Sequence, residues 1–538
     1  MSVATSAQSM SDGLLFSENN YTGTARTMAM GNAFTALGGD LGSIGLNPAG
    51  SAVASYSQVT ITPGLNVSCF NSSATTGSSY GFADHRKGSN CTGSLPNIGV
   101  TIALDTHRNT GLKRVTFGFV SNETMNYAEN SLATGINDAT SLSGSFASGA
   151  TGLSRDNITG SAAYDINWAD DWRYVLANNA GAISTISGSN VDYVGAAQGY
   201  SATNDGYEFY NLGRLDQSFG REKRGAKRDI MLNFGFDFSD MLYLGFNIGV
   251  TELSYKYDQY LRETPADGEL ENFAINFDGG STTYFESMRH NYYFDADGTG
   301  LYAKVGAIVT PNNWLKLGAA IQTPTSLDMD EFWGQSVETS FKNSYYNGAD
   351  TTPESQNSYR LRTPFLANFG IAATILSQAI VSVDYEITDY KTMKFKGERR
   401  MDDEYFDNVN RDISDYMGVS HNLRAGVEYK PVNKFAIRAG YNLLTCPEKY
   451  GDEGSGALKY IKANTHSASF GIGYSSNRMF FADAAVRYMK QYTEYVTPYQ
   501  YYILDGNGNL SENADVPVPT IEFQRSLWTV ALTLGLRF

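Results

Sequence analysis

The chain has 538 residues, a formal net charge of −16 and a pI near 4.8, with 18% charged and 13% aromatic residues. That charge fraction lies below the roughly 25% of an average soluble domain, and 54 Gly, 36 Tyr and 29 Phe against 13 Pro suit a large β protein with polar loops. The acidic balance disfavours nucleic-acid binding, the aromatic content argues against disorder, and no stretch reaches the ~18 uninterrupted apolar residues of a transmembrane helix; the nearest, Phe369 to Val383, is broken by Ser377 and Gln378.

Residues 1–9 lack the basic and apolar regions of a whole signal peptide. Val3-Ala4-Thr5-Ser6-Ala7 matches the small-residue end of one, with maturation near Ala7–Gln8; a flexible start reads equally well. Residues 10–56 are small and Gly-rich, with a short helix predicted around 25–37, ended by Gly38-Gly39, and a turn at Asn47-Pro48. Such a segment has too little apolar mass for its own core and is expected to fold into a lumen as a plug.

From residue 57 to 538 the signal is alternation. Ile98, Val100, Ile102 and Leu104 alternate with Gly99, Thr101 and Ala103; Trp528, Val530, Leu532, Leu534, Leu536 and Phe538 share one face of the last segment. Period two is the mark of a strand with one apolar face. Fourteen such strands are predicted, starting near 57, 97, 113, 227, 240, 299, 313, 364, 379, 420, 434, 465, 478 and 525. Links after even strands are short, such as Asp105–Leu112 and Pro431–Asn433. Links after odd strands are long: roughly 66–96, 122–226, 259–298, 323–363, 397–419, 445–464 and 493–522. This pattern is that of an all-β, 14-stranded antiparallel transmembrane β-barrel of a bacterial outer membrane, with short periplasmic turns and long extracellular loops. Trp314, Tyr385, Tyr429, Tyr488 and Trp528 near strand ends suit its aromatic girdles. Within the insertion 122–226, residues 161–183 predict an amphipathic helix over the mouth, with Asp170 and Asp171 in its first turn.

Tyr21-Thr22-Gly23-Thr24-Ala25-Arg26, Met30-Gly31-Asn32-Ala33, Gly39-Asp40, Ser43-Ile44 and Asn47-Pro48-Ala49 resemble the start of FadL-type outer-membrane transporters, the long-chain fatty acid and hydrocarbon transporter family. The resemblance implies a fourteen-stranded barrel with an N-terminal hatch over 10–56, capture of hydrophobic ligands among the extracellular loops, and sideways release through a kink in the third strand. Carried onto this chain, the hatch motif is Gly31, Asp40, Asn47, Pro48 and Ala49. In the third strand, Arg114 to Asn122, Gly118 is the kink candidate. Trp168, Trp172, Phe332 and Trp333 are candidates for loop capture. A related group of fourteen-stranded barrels with similar NPA-containing starts serves secretion or assembly complexes in Bacteroidetes-like outer membranes. The partners implied are outer-membrane lipid and a hydrophobic small molecule, or other outer-membrane proteins or lipoproteins held by the long loops.

Asp237, Lys304, Lys316, Asp384, Glu386, Arg424, Glu428, Arg438, Asp483, Arg487 and Arg537 fall on the inward face with mixed sign. A wall ion-pair network is the favoured reading; contact of one cation with a ligand carboxylate is the alternative. Cys69 and Cys91 share the first long link and are a disulfide candidate, leaving Cys446 over. Asp505–Asn509 and Asp295–Gly298 hint at Ca²⁺ loops, but the former lacks the closing Glu, so both read as loop tips. The acidic run Met401–Tyr416 reads as a solvated loop. His85, His107, His290, His421 and His466 lack a local nucleophile pattern. No enzyme activity, metal or cofactor is expected. Two functions stay open: passive transport of hydrophobic, fatty-acid-like molecules, or a structural subunit of an outer-membrane assembly.

Overall fold

The computed structural model describes residues 8–74, 81–164, 172–203, 206–276, 281–344, 346–376, 378–397, 400–451, 458–460, 463–476, 479–491, 493–504, 510–513 and 516–538. Fourteen antiparallel barrel strands close on themselves. In chain order they are Gln58–Ala74, Arg86–Asp105, Leu112–Asn126 continued by Glu129–Asn137, Leu215–Phe238, Leu242–Pro265, Thr282–Asn312, Leu315–Gln322 continued by Ser326–Phe341, Ser355–Arg362 continued by Leu366–Ile375, Ala379–Asp389, Val419–Val432, Phe435–Leu444, Thr465–Ser475, Phe480–Lys490 and Ile521–Arg537. The first pairs with the last from Gln58↔Arg537 to Ala74↔Ile521. Ser57 and Phe538 exchange two backbone hydrogen bonds of 3.0 Å at the short-turn end.

Next to the short turns the barrel is apolar outside. Leu301 is 62% and Ile472 56% exposed, and Ile98, Leu232, Val305, Ile371, Val427 and Val530 join them in a band around the wall. Water would not tolerate so large a contiguous apolar surface; lipid does, and closure leaves no unpaired edge in it. Trp314, Trp528, Tyr429 and Tyr385 are exposed as girdle residues should be. Tyr488 packs on Trp528 at 4.7 Å between ring centroids.

The strands continue well past this band. The fourth and fifth span 24 residues each and the sixth 31, against the ~9–11 that cross a bilayer. Much of the links 259–298 and 323–363 is therefore strand, because above the lipid the outward face turns polar and the period-two apolar signal fades. Asp295–Gly298 lies inside the sixth strand, not at a loop tip, and Asp295 pairs with Lys256 of the fifth at 2.6 Å. Asp505–Asn509 lies outside the described residues. The acidic run is a helix, Arg400–Tyr416, not a loop: Phe406, Val409 and Ile413 recur at helical spacing and are buried.

The insertion 122–226 folds into a cap. It holds the continued third strand, helices Leu142–Ala150 and Trp172–Asn179, and two hairpins, Ile183–Thr185 with Tyr193–Gly195 and Gln198–Thr203 with Gly206–Asn211. The amphipathic helix thus exists in a shorter form; Asp170 and Asp171 lie outside the described residues. All three cysteines are free. Cys69 and Cys91 sit in paired strands, but Cys91 faces Val67 and Cys69 faces Ser89. The two are diagonal neighbours, at a spacing of ~7–8 Å that exceeds a disulfide's usual Cα separation.

Candidate functional site

The site is the filled lumen and the interruption in its wall. The N-terminal segment begins with a helix the sequence reading missed, Met10–Ser17, started by a capping box between Ser9 and Asp12. The Ser9-x-x-Asp12 pattern before Leu14-Leu15-Phe16 was its available signal. Phe16 is buried in an aromatic cluster with Tyr127, Tyr255, Phe294, Tyr359 and Phe395, and meets Tyr255 edge-on at 5.8 Å. The chain then runs extended to Thr24, which caps the helix Ala25–Ala29. The predicted helix over 25–37 stops there because Gly31 takes a φ of +63°, a conformation that favours glycine. A Cβ on Gly31 would also stand 2.8–3.0 Å from backbone atoms of Tyr441 and Ala425.

The other motif residues pin the segment to itself and to the wall. Asp40 accepts from Thr24 Oγ1 at 2.6 Å and from Gly42 N at 2.9 Å, starting the 3-10 turn Leu41–Gly45. Asn47 donates through Nδ2 to Thr35 O, Ala307 O and Ala319 O at 2.7, 3.1 and 3.4 Å, and its Oδ1 accepts from Ala49 N at 3.1 Å. One side-chain amide thus joins two turns of the segment to the sixth and seventh strands. Pro48 O accepts from Asn233 of the fourth strand at 3.0 Å. Inward glycines make the seat: a Cβ on Gly245 would lie 2.2 Å from Ala49 N, and one on Gly306 2.0 Å from Asn47 Oδ1.

The inward charges divide into two groups. Arg424–Glu386, Arg438–Glu428 and Arg438–Asp483 pair at 2.6 Å, and Arg26 of the segment joins Glu428 at 3.0 Å. Asp237 pairs with Arg114 at 2.9 Å, while Arg537 lies over the rings of Tyr56 and Phe481. The second group bonds to carbonyl oxygens of the segment. Lys227 donates to Phe16 O and Glu18 O at 2.9 and 2.6 Å, Lys304 to Gly45 O at 2.7 Å, Lys316 to Leu37 O at 3.3 Å and Arg487 to Tyr21 O at 2.8 Å. Phe16, Glu18 and Gly45 lie at the C-terminal ends of helical turns, where a cation is favoured. Asp384 acts in the opposite sense, accepting from Thr35 N at 2.6 Å.

The wall breaks beside this segment, but not at Gly118. That residue pairs regularly with Thr101 and Asn233. The ladder between the second and third strands ends at Asn97↔Asn122, the third strand bulges between Glu123 and Met125, and it resumes at Glu129 against the fourth strand alone. On the lumenal side Asn20 N donates to Thr124 O at 2.6 Å and Thr22 N to Glu123 O at 3.5 Å. The N-terminal segment therefore covers strand edge that the second strand leaves bare. Arg228 bridges the same place, donating to Leu95 O at 2.8 Å and Ser121 Oγ at 3.1 Å. Higher up, Glu129 of the continued third strand binds Arg525 of the last strand at 2.6 Å, and Arg221 binds Glu494 at 3.0 Å. Burial pushes the Glu494 carboxyl up, but Arg525 and Arg221 outweigh it and hold the group well below the usual carboxylate range.

Two polar cavities adjoin the N-terminal segment beside the break. Phe16, Lys227, Asp229, Glu386 and Tyr390 help line one; Tyr21, Met125, Arg424, Arg487 and Met489 help line the other. Of the capture candidates, Trp333 is on the seventh strand and packs on the aromatic cluster. Phe332, one residue away, falls on the opposite face of the strand. Trp172 meets Tyr164 edge-on at 5.6 Å inside the cap, and Trp168 lies outside the described residues. Among the described residues no group of His, Cys, Asp and Glu is arranged to hold a metal ion.

No family model matches the chain, and no curated protein matches it. Solved structures do. The chain is similar to the Pseudomonas putida toluene transporter TodX at 13% identity, over 97% of this chain and 99% of that one, with a TM-score of 0.50. It is similar to a Pseudomonas aeruginosa FadL homologue at 12% identity, over 97% and 100%, with a TM-score of 0.51. At such identities the likeness establishes the fold: the barrel has the architecture of FadL-type outer-membrane transporters.

Proposed function

We propose that the chain is a passive outer-membrane transporter of hydrophobic, long-chain fatty-acid-like molecules, working by loop capture, rearrangement of the N-terminal hatch and lateral release into the membrane. The observation that carries this reading is the break at Glu123–Ala128 with the strap Asn20–Thr22 hydrogen-bonded to its third-strand edge. An open edge at the rim of the lipid band is costly unless covered, and here the cover belongs to the segment that fills the lumen. Moving that segment exposes the break and empties the aromatic cluster around Phe16 in one step. The fold shared with the toluene transporter and the FadL homologue supports the same reading. Nothing in it calls for an energy source or a catalytic group.

The test is a reversible lock. In a background with Cys69, Cys91 and Cys446 replaced by Ser, Asn20→Cys and Thr124→Cys are combined and uptake of a fluorescent long-chain fatty acid by expressing cells is followed. Oxidation is expected to stop uptake and reduction to restore it. Equal uptake in both states removes the strap from the mechanism. Uptake no higher than in cells without the protein removes the transporter reading. It would leave a structural subunit, which stoichiometric co-purification of a second outer-membrane protein would support.

A further inference from the structure

The cap encloses a recess whose chemistry differs from that of the lumen. It opens between helices Leu142–Ala150 and Trp172–Asn179, the upper fifth to seventh strands and the arm 497–502, and holds ≈ 600 Å³ of empty space including its mouth. Arg173, Gln259, His290, Gln335 and Tyr502 supply its polar lining, Leu142 and Phe146 its apolar side. Among the described residues no carboxylate lines it, in a chain of net charge −16.

The side chains present donors. The Arg173 guanidinium lies 4.7 Å from the Tyr174 ring centroid and 5.3 Å from that of Tyr502. It has no acceptor among the described residues, and its Nε is buried without a partner. Gln335 Oε1 is 2.9 Å from His290 Nε2, and Gln259 Oε1 accepts from Tyr257 OH at 2.5 Å. Both carboxamide oxygens are thereby used, which leaves two buried amide NH₂ groups as donors. The frame is built rather than loose. Glu263 accepts from Leu142 N and Ser143 N at 2.7 and 3.0 Å, Ser145 Oγ donates to Gln500 O at 2.6 Å, and Tyr502 N donates to Ser148 Oγ at 3.0 Å.

We propose that this recess is an outer binding subsite for the carboxylate head of an amphiphile, with Arg173 supplying the charge and Gln259 and Gln335 the hydrogen bonds. A preformed set of donors without a competing carboxylate suits a planar anion, and the apolar side at Leu142 and Phe146 suits the first carbons of a tail. The recess selects the head before the tail reaches the lumen. The proposal rests on the transporter reading above and assigns the first contacts of the ligand's head to named residues.

The experiment compares laurate with 1-dodecanol, equal in chain length, binding to the purified full chain in nanodiscs of zwitterionic lipid. Wild type is expected to bind laurate about tenfold more tightly than the alcohol. Arg173→Gln should erase that preference by weakening laurate about tenfold; Gln259→Leu with Gln335→Leu should reduce it; the preference should survive Arg487→Gln, in the lumen. A preference that survives Arg173→Gln, or vanishes only with Arg487→Gln, overturns the proposal by placing the head in the lumen. Equal affinities in wild type overturn it outright while leaving a neutral-ligand transporter standing. No binding of either probe overturns both readings.

Discussion

The sixth strand has two halves that obey opposite rules. Near its short turn, Leu301, Val305 and Val309 point outward and are exposed, while Lys304 and Tyr302 are buried inside. At its far end Phe285 and Met288 are wholly buried inside, packed with Phe219, Phe273 and Phe341 of the upper barrel. The lower half is built for lipid outside and the N-terminal segment inside, the upper half like a water-soluble β protein. The change occurs along one strand, whose register shifts between Phe285 and Ser287, and the apolar face follows the surroundings, lipid below and water above.

Substitutions in the two halves test this directly. The largest effect is expected from Phe285→Ala, which opens a cavity in the upper core and should cost about 3–5 kcal/mol of cap stability. Proteolysis of the extracellular side should rise while the barrel keeps its heat-modifiable mobility on gels; resistance equal to wild type would break the comparison from above. Val305→Arg should cost about 2–4 kcal/mol when unfolding is measured in vesicles; an unchanged midpoint would mean that the band does not face lipid. Between the halves, Asn47→Ala removes three donated hydrogen bonds and should weaken seating of the N-terminal segment by about 1–3 kcal/mol. Faster hydrogen exchange over 20–50 and added conductance in planar bilayers would report it.

The smallest effect is expected from acid. Burial lowers His290 to about 4, and Arg173 adds to the shift. A base whose folded pKa is depressed favours folding fully above its unfolded value near 6.5, and that contribution falls as pH drops toward 4. Cap opening, read by hydrogen exchange at residues 142–150, should increase over that window, and His290→Gln should flatten the change. An unaltered profile would place the imidazole in open water.

Legibility in the sequence follows the same division. Alternation was legible wherever lipid enforced it, so the fourteen strands, the short turns and the closing Phe538 could be read directly. It fades where both faces become mixed, as in Arg221–Lys227, and there the upper strands read as loops. The helix over 400–416 was hidden by acidic residues, although Phe406, Val409 and Ile413 carried its period. The motif residues of the N-terminal segment were recognisable, and Asn47 turned out to join it to two strands. The wall break left no such mark: it arises from where the second strand stops pairing, and Gly118 sits in regular ladder. Nothing in the sequence singles out Arg173 beside Trp172: its setting between the Tyr174 and Tyr502 rings arises only in space.

The length of the sixth strand fixes how far the upper wall stands above the lipid. From Thr282 to Gly300 it runs ~60 Å at ~3.3 Å per residue, and a tilt of ~40° leaves ~45 Å of height above the apolar band. A wall that tall lifts the Arg173 recess clear of the lipid surface. On the proposed route, an amphiphile would reach it from the aqueous side and travel mostly inside protein before any tail touched a bilayer.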